Sequence, residues 1–126
     1  MSADPYNRTV RAYFAGTEHC GDIPDGAVGY FEDPGMRVRL SAEVKGGVIT
    51  RLLFRAWGCP HLVAAAEAVC RQFEGQSAAA LEQFETGQIM LDLAVPVEKT
   101  GRILALEDTV RSLGQAIQDR ISTTQE

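Results

Sequence analysis

The sequence predicts an α+β domain, a three-stranded antiparallel sheet packed against helices, the last of them long and amphipathic. Three observations carry this reading. Arg37 to Val44 alternates with a period of two, with Val38, Leu40, Ala42 and Val44 on one face and Arg37, Arg39, Ser41 and Glu43 on the other. After Gly58 the apolar spacing lengthens to that of a helix. The candidate strands come as one block with the main helices after them, an order unlike the alternation that builds parallel sheets.

The elements follow in order. Val10, Tyr13 and Phe14 at helical spacing predict a short first helix over Tyr6 to Phe14. Ala15 to Gly26 is rich in Gly, Asp and Pro and reads as loop. Ala27 to Glu32 is the first strand, Asp33-Pro-Gly35 a tight turn, and Arg37 to Val44 the second strand. Lys45-Gly-Gly47 supplies a hairpin turn, and Val48 to Trp57 returns. That third strand is apolar on both faces, as a central or half-covered strand would be.

Leu62, Val63, Ala66, Val69, Cys70 and Phe73 then form one helical stripe that Gly75 ends. Ser77 is placed to N-cap a short helix running to Phe84. Ile103, Leu106, Val110, Leu113, Ile117 and Ile121 mark the clearest amphipathic helix of the chain.

With 126 residues the chain is expected to be a single domain over 1–126, with an ordered core from about residue 6 to 121. Met1 to Pro5 and the polar tail from Ser122 to Glu126 are expected to fray. Twelve Lys+Arg against 17 Asp+Glu give a net charge of -5, which argues against a nucleic-acid binder or a protein held on anionic membranes. The best apolar run, Leu62 to Cys70, is far short of a span and is broken by Glu67. The N-terminal residues lack the apolar stretch of a signal peptide, so the chain is expected to be cytoplasmic, with its three cysteines as thiols.

Local chemistry concentrates at Gly58-Cys59-Pro60-His61. Pro60 suits the first position of a helix, which puts Cys59 at the N-cap. Unsatisfied N–H groups and the positive dipole end favour a thiolate there, the form that binds metal or attacks sulfur. The plainer alternative is a small buried hydrophobe at a tight turn. His61, two residues on, is either a ligand or proton acceptor in the same space or a solvated first-turn residue. Cys70 is core, since eleven residues of helix carry it ~16 Å from Cys59.

No hydrolytic or hydride-transfer constellation competes. The chain has no serine elbow, no phosphate-cradling Gly-x-x-x-x-Gly-Lys-Ser loop and no HExxH. Its two histidines, His19 and His61, leave a triad few possible members.

Gly47-Val-Ile49, Phe54, Gly58-Cys59, Val63-Ala64 and Gly75, continued in register by Pro96, Lys99 and Glu107-Asp108, resemble the NifU/IscU-type iron–sulfur cluster assembly scaffold family. The likeness runs from Asn7 to about Ile121 and implies the same sheet-and-helix fold. In that family three cysteines plus an aspartate or histidine hold an iron–sulfur cluster or a zinc ion. This chain departs from that set. Where the family reads Cys-Gly-Asp before the second strand, the chain has Pro34-Gly35-Met36; Cys59 is kept; the later His-Cys pair is Gly101-Arg102.

A literal Cys20-Gly21-Asp22 occurs after His19, though strand direction puts it before the far end of the first strand. The turn at Asp33 to Gly35, by contrast, is expected beside Cys59. Arg102 sets a permanent cation where the family has a thiolate, and it favours an anion over iron. The segment Leu93 to Lys99 keeps only Pro96 and Lys99 of the family's Leu-Pro-Pro-Val-Lys chaperone motif.

The resemblance implies three functions. The first is a scaffold-like protein binding an iron–sulfur cluster, iron or zinc weakly through Cys59 and His61, with Asp33 or Glu32 and Cys20 as further candidate ligands. A homodimer pairing Cys59 and His61 from two protomers would supply four such ligands. The second is sulfur relay like that of the SufE-type acceptors, with Cys59 taking a persulfide from a cysteine desulfurase. The third is a partner-binding module that has kept the fold and holds no cofactor. The expected partners are a desulfurase or other cluster-assembly proteins.

Overall fold

The computed structural model describes residues 8–124. The first helix, α1, spans Arg8–Ala15, and the expected start at Tyr6 lies outside the described residues. Strands β1 (Ala27–Asp33), β2 (Met36–Lys45) and β3 (Val48–Trp57) form one antiparallel sheet in the order β1-β2-β3. Each strand falls within one residue of the expected bounds. The main helices after the sheet are α2 (Pro60–Phe73), α3 (Gly87–Asp92) and α4 (Thr100–Thr124). The helix α4 runs to Thr124, past Ser122 where the polar tail begins, and carries Gly101 and Gly114 within it. Met1 to Pro5 and the last two residues of the tail lie outside the described residues.

The alternation in β2 does what it predicts on one face, where Val38, Leu40 and Ala42 are buried. On the other face Arg37 and Arg39 are exposed, but Ser41 is buried and accepts a 2.9 Å hydrogen bond from the Ile23 N–H. Part of the Ala15 to Gly26 loop therefore covers that face. It also pairs with β3. The Phe54 N–H donates to His19 O and the Gly21 N–H donates to Phe54 O, both at 2.8 Å. This short parallel pairing covers the middle of an edge that would otherwise present free backbone groups.

The helix α2 is buried more completely than its stripe predicts. Besides Leu62, Ala66, Val69, Cys70 and Phe73, the structure buries His61, Ala64, Ala65 and Glu67. It packs against β3, α1 and α4, so three surfaces are covered where a stripe covers one. Four alanines let those neighbours approach closely. Ser77 caps a 3-10 helix, Ala78–Gln83, as expected, with its Oγ accepting from the Ala79 N–H at 3.3 Å. The unexpected α3 is too short to show a period.

The helix α4 lies on β1 and β2. It touches β1 so closely at Gly29 that an added Cβ would stand 2.4 Å from Thr109 O and 2.8 Å from the Leu113 N. Both obstacles are backbone and cannot swing aside. Gly29→Ala should therefore destabilise the protein by about 1–3 kcal/mol, as overpacked cores do. Urea unfolding that reproduced the wild-type midpoint would show that α4 can slide.

Candidate functional site

The hairpin registers bring three distant segments to one end of the sheet. Asp33 pairs with Met36 and Arg37 with Trp57, so the β1–β2 turn lies beside the end of β3. The chain leaves β3 through Gly58, whose φ of +154° favours glycine. An added Cβ there would stand 3.0 Å from Leu62 Cδ2 and 3.6 Å from Met36 Cβ. Arg102 Nη1 lies 3.7 Å from the same point. Arg102 belongs to the first turn of α4, so the turn, the junction and the start of α4 converge.

Cys59 is the N-cap of α2, with φ -85° and ψ 160°, followed by Pro60 at the first helical position. Its carbonyl accepts from the Leu62 and Val63 N–H groups at 3.0 and 3.2 Å. Its sulfur makes no capping hydrogen bond, so the thiol is not engaged in holding the helix. The residue is half-buried, and Trp57 beside it is 63 % exposed.

Arg102 is half-buried, and its Nη1 donates to Gly35 O at 3.0 Å. This bond ties α4 to the β1–β2 turn. Asp33 sits in that turn, where its Oδ1 accepts from the Gly35 N–H at 2.8 Å. Asp33 is thus carried to the end of β3, as the strand directions predict.

The other candidates lie differently. His61 is 1 % exposed, so it is not the solvated first-turn residue of the plainer alternative. Cys20 is exposed and paired beside Phe54. Three strand residues, about 10 Å at ~3.3 Å each, and the Gly58 turn separate that pairing point from Cys59. Asp22, of the same Cys-Gly-Asp triplet, forms ion pairs with Arg55 and, at 3.7 Å, with Arg39. Glu32 lies 3.6 Å from Arg37 in a pair of its own. Cys70 is fully buried, and desolvation pushes its thiol well above the usual range, with Glu67 and Glu74 adding to the effect. Among the described residues no three His, Cys, Asp or Glu side chains come together as a metal-holding group.

Sequence reasoning misses one charged cluster altogether. The Glu67 side chain is fully buried in α2. Its Oε1 accepts from the His19 N–H at 3.0 Å, and its Oε2 lies 2.6 Å from His19 Nδ1 and accepts from Arg71 Nε at 2.9 Å. Glu74 approaches His19 Nε2 at 3.3 Å, and its other oxygen accepts from the Leu52 N–H at 3.0 Å. The Arg71 guanidinium lies 4.4 Å over the Tyr13 ring. The signal was present: Glu67 is the lone charge in the apolar run Leu62 to Cys70.

No family model matches the sequence, and no curated protein matches it. Solved structures do match the fold. One is a putative iron–sulfur cluster assembly scaffold protein for the SUF system from Fervidobacterium islandicum, with TM-score 0.68 and 18% identity over 86% of this chain and 96% of that one. Another is the N-terminal part of a NifU-like protein from Brucella abortus, with TM-score 0.68 and 15% identity over 89% of this chain and 91% of that one. A third is a hypothetical protein with TM-score 0.56, 17% identical over 90% and 94% of the two chains. The chain has the NifU-like scaffold fold.

A cluster of the kind such proteins assemble needs several thiolates. Among the described side chains, the strand registers bring the Cys59 thiol and the Asp33 and Glu32 carboxylates to the end of β3, with the Arg102 guanidinium beside them. That set does not fit a cluster within one protomer.

Proposed function

We propose that this protein, which has the NifU-like fold, takes a scaffold-like part in iron–sulfur cluster assembly through the thiol of Cys59, which accepts sulfur from a cysteine desulfurase. The observation that carries this is the position of Cys59. It is a half-buried thiol free of capping duty, at the meeting point of the β1–β2 turn and two helix starts.

The step needs no metal. The Cys59 thiolate attacks the terminal sulfur of the desulfurase's cysteine persulfide, and a new S–S bond forms as the old one breaks. The donor leaves as its own thiolate and takes up the proton that the Cys59 thiol gave. Sulfane sulfur moves with no net oxidation.

A second reading has Cys59, with Asp33 and His61, holding iron or zinc, in one protomer or across two. The proximity of the Asp33 turn favours it, as does the similarity in fold to the Fervidobacterium islandicum scaffold protein. One experiment separates the two. The purified protein is incubated without oxygen with a desulfurase, cysteine and ferrous iron, then read by intact mass and metal content. The expected product carries one added sulfur and no stoichiometric iron. Iron and sulfide bound in equal amounts would replace this reading with the second, and neither signal would remove both.

A further inference from the structure

We propose that Arg102 makes this site selective for anions, so that it holds a negatively charged sulfur species on Cys59 and disfavours a metal cation. The inference rests on the sulfur-accepting reading and names what sets its ligand class.

Three positive features meet at the end of β3. The first is the N-terminus of the 14-residue α2, at Cys59 itself. The second is the N-terminus of the 25-residue α4, which begins at Thr100. Each end of this kind carries partial positive charge. The third is the Arg102 guanidinium, whose Nη1 lies 3.7 Å from the place a Cβ would take on Gly58, next to Cys59.

Helix stability does not account for that guanidinium. A cation in the first turn of a helix opposes the dipole and does not complement it. What holds it is the hydrogen bond to Gly35 O, which uses one of its five N–H groups and fixes its position. The planar fork leaves other donors for an anion. Among the described side chains, nearby negative charge comes from Asp33, whose Oδ1 is turned to the Gly35 N–H, and from Glu32, which faces Arg37. On the Gly58 side the guanidinium itself comes within 3.7 Å of the point an added Cβ would take. A site built this way repels iron before any ligand is counted.

The test uses two alkylating reagents of similar size, anionic iodoacetate and neutral iodoacetamide, with modification of Cys59 read by peptide mass. The thiolate fraction enters both rates equally, so their ratio reports the local field. Arg102→Gln should lower the iodoacetate-to-iodoacetamide ratio about five-fold at low salt, and Arg102→Lys should keep most of it. Salt gives a second measurement in the unaltered protein, which decides the matter should Arg102→Gln fail to fold. The net charge of -5 alone makes the ratio rise as salt screens repulsion, whereas a local cation makes it fall.

A ratio unchanged by Arg102→Gln, or one that rises with salt, overturns the proposal. So does one zinc ion bound tightly per protomer. No desulfurase is present, so failure of sulfur loading with the ratio intact would sink the function and leave the anion site standing.

Discussion

Glu67→Ala should lower the unfolding free energy by about 3 kcal/mol, within the range for removing one partner of a buried ion pair. The carboxylate holds three groups at once: the His19 N–H, the His19 ring and Arg71. All three lose this carboxylate together; the His19 ring keeps Glu74 as a neighbour and Arg71 keeps Tyr13. Through His19 the loss reaches β3, because His19 O and the Gly21 N–H pair with Phe54. Against a total of roughly 5–15 kcal/mol for a domain, this is a large fraction. Glu67→Gln keeps the volume and an acceptor for His19, so it should cost less. Urea unfolding checks both. Amide exchange should show Gly21 and Phe54 losing protection in Glu67→Ala well before the core of α4. A change under about 1 kcal/mol would mean that packing alone holds the loop.

The same carboxylate predicts a pH dependence. Burial pushes the Glu67 carboxyl up, but hydrogen bonds from Arg71 and the His19 N–H, with the His19 ring, outweigh it and hold it below its ordinary value. A folded value below the unfolded one gives stability that is fully present above the unfolded value, near 4.5. That stability is lost as pH falls through the folded value. The stability gap between wild type and Glu67→Gln should therefore be widest near neutrality and shrink below about pH 4. A gap that stayed constant from pH 7 to 3 would show that the network does not act through charge.

The cluster also shows where sequence reading stops. The strands and the two long helices are legible because their apolar periods differ and each is visible within ten or so residues. The placement of Asp33 beside Cys59 is legible too, since hairpin directions alone decide which turn meets the end of β3. Contacts between distant residues are another matter. Glu67 and His19 are 48 positions apart, and nothing local says that a loop histidine will find a helix carboxylate. Gly29 reads as an indifferent strand residue until α4 is laid across it. Burial of α2 on three sides, and of His61 with it, depends on neighbours that its own period cannot announce. Arg102 is an intermediate case: its charge is plain in the sequence, and its bond to Gly35 O appears only in the fold.

Sulfur loading should distinguish the three cysteines sharply. Accessibility alone ranks Cys20 first, because it is exposed while Cys59 is half-buried and Cys70 is fully buried. A small polysulfide, which needs only access, should therefore modify Cys20 as well as Cys59. A desulfurase must dock and deliver its persulfide to one place, and the exposed Trp57 and the converging turn surround Cys59. Cys20 has the Arg55 guanidinium near it, but that cation is already paired with Asp22. The imidazole of His19, the residue before Cys20, lies against Glu67 and Glu74 and cannot also serve the thiol as a base. Enzymatic loading should thus be abolished by Cys59→Ser and left unchanged by Cys20→Ser. Cys70 should stay unmodified in every variant, since burial disfavours its reactive thiolate. Intact mass with peptide mapping reads all of this in one series. If Cys20→Ser abolished loading and Cys59→Ser did not, the loop beside β3 would be the acceptor. The convergence at the end of the sheet would then need another use.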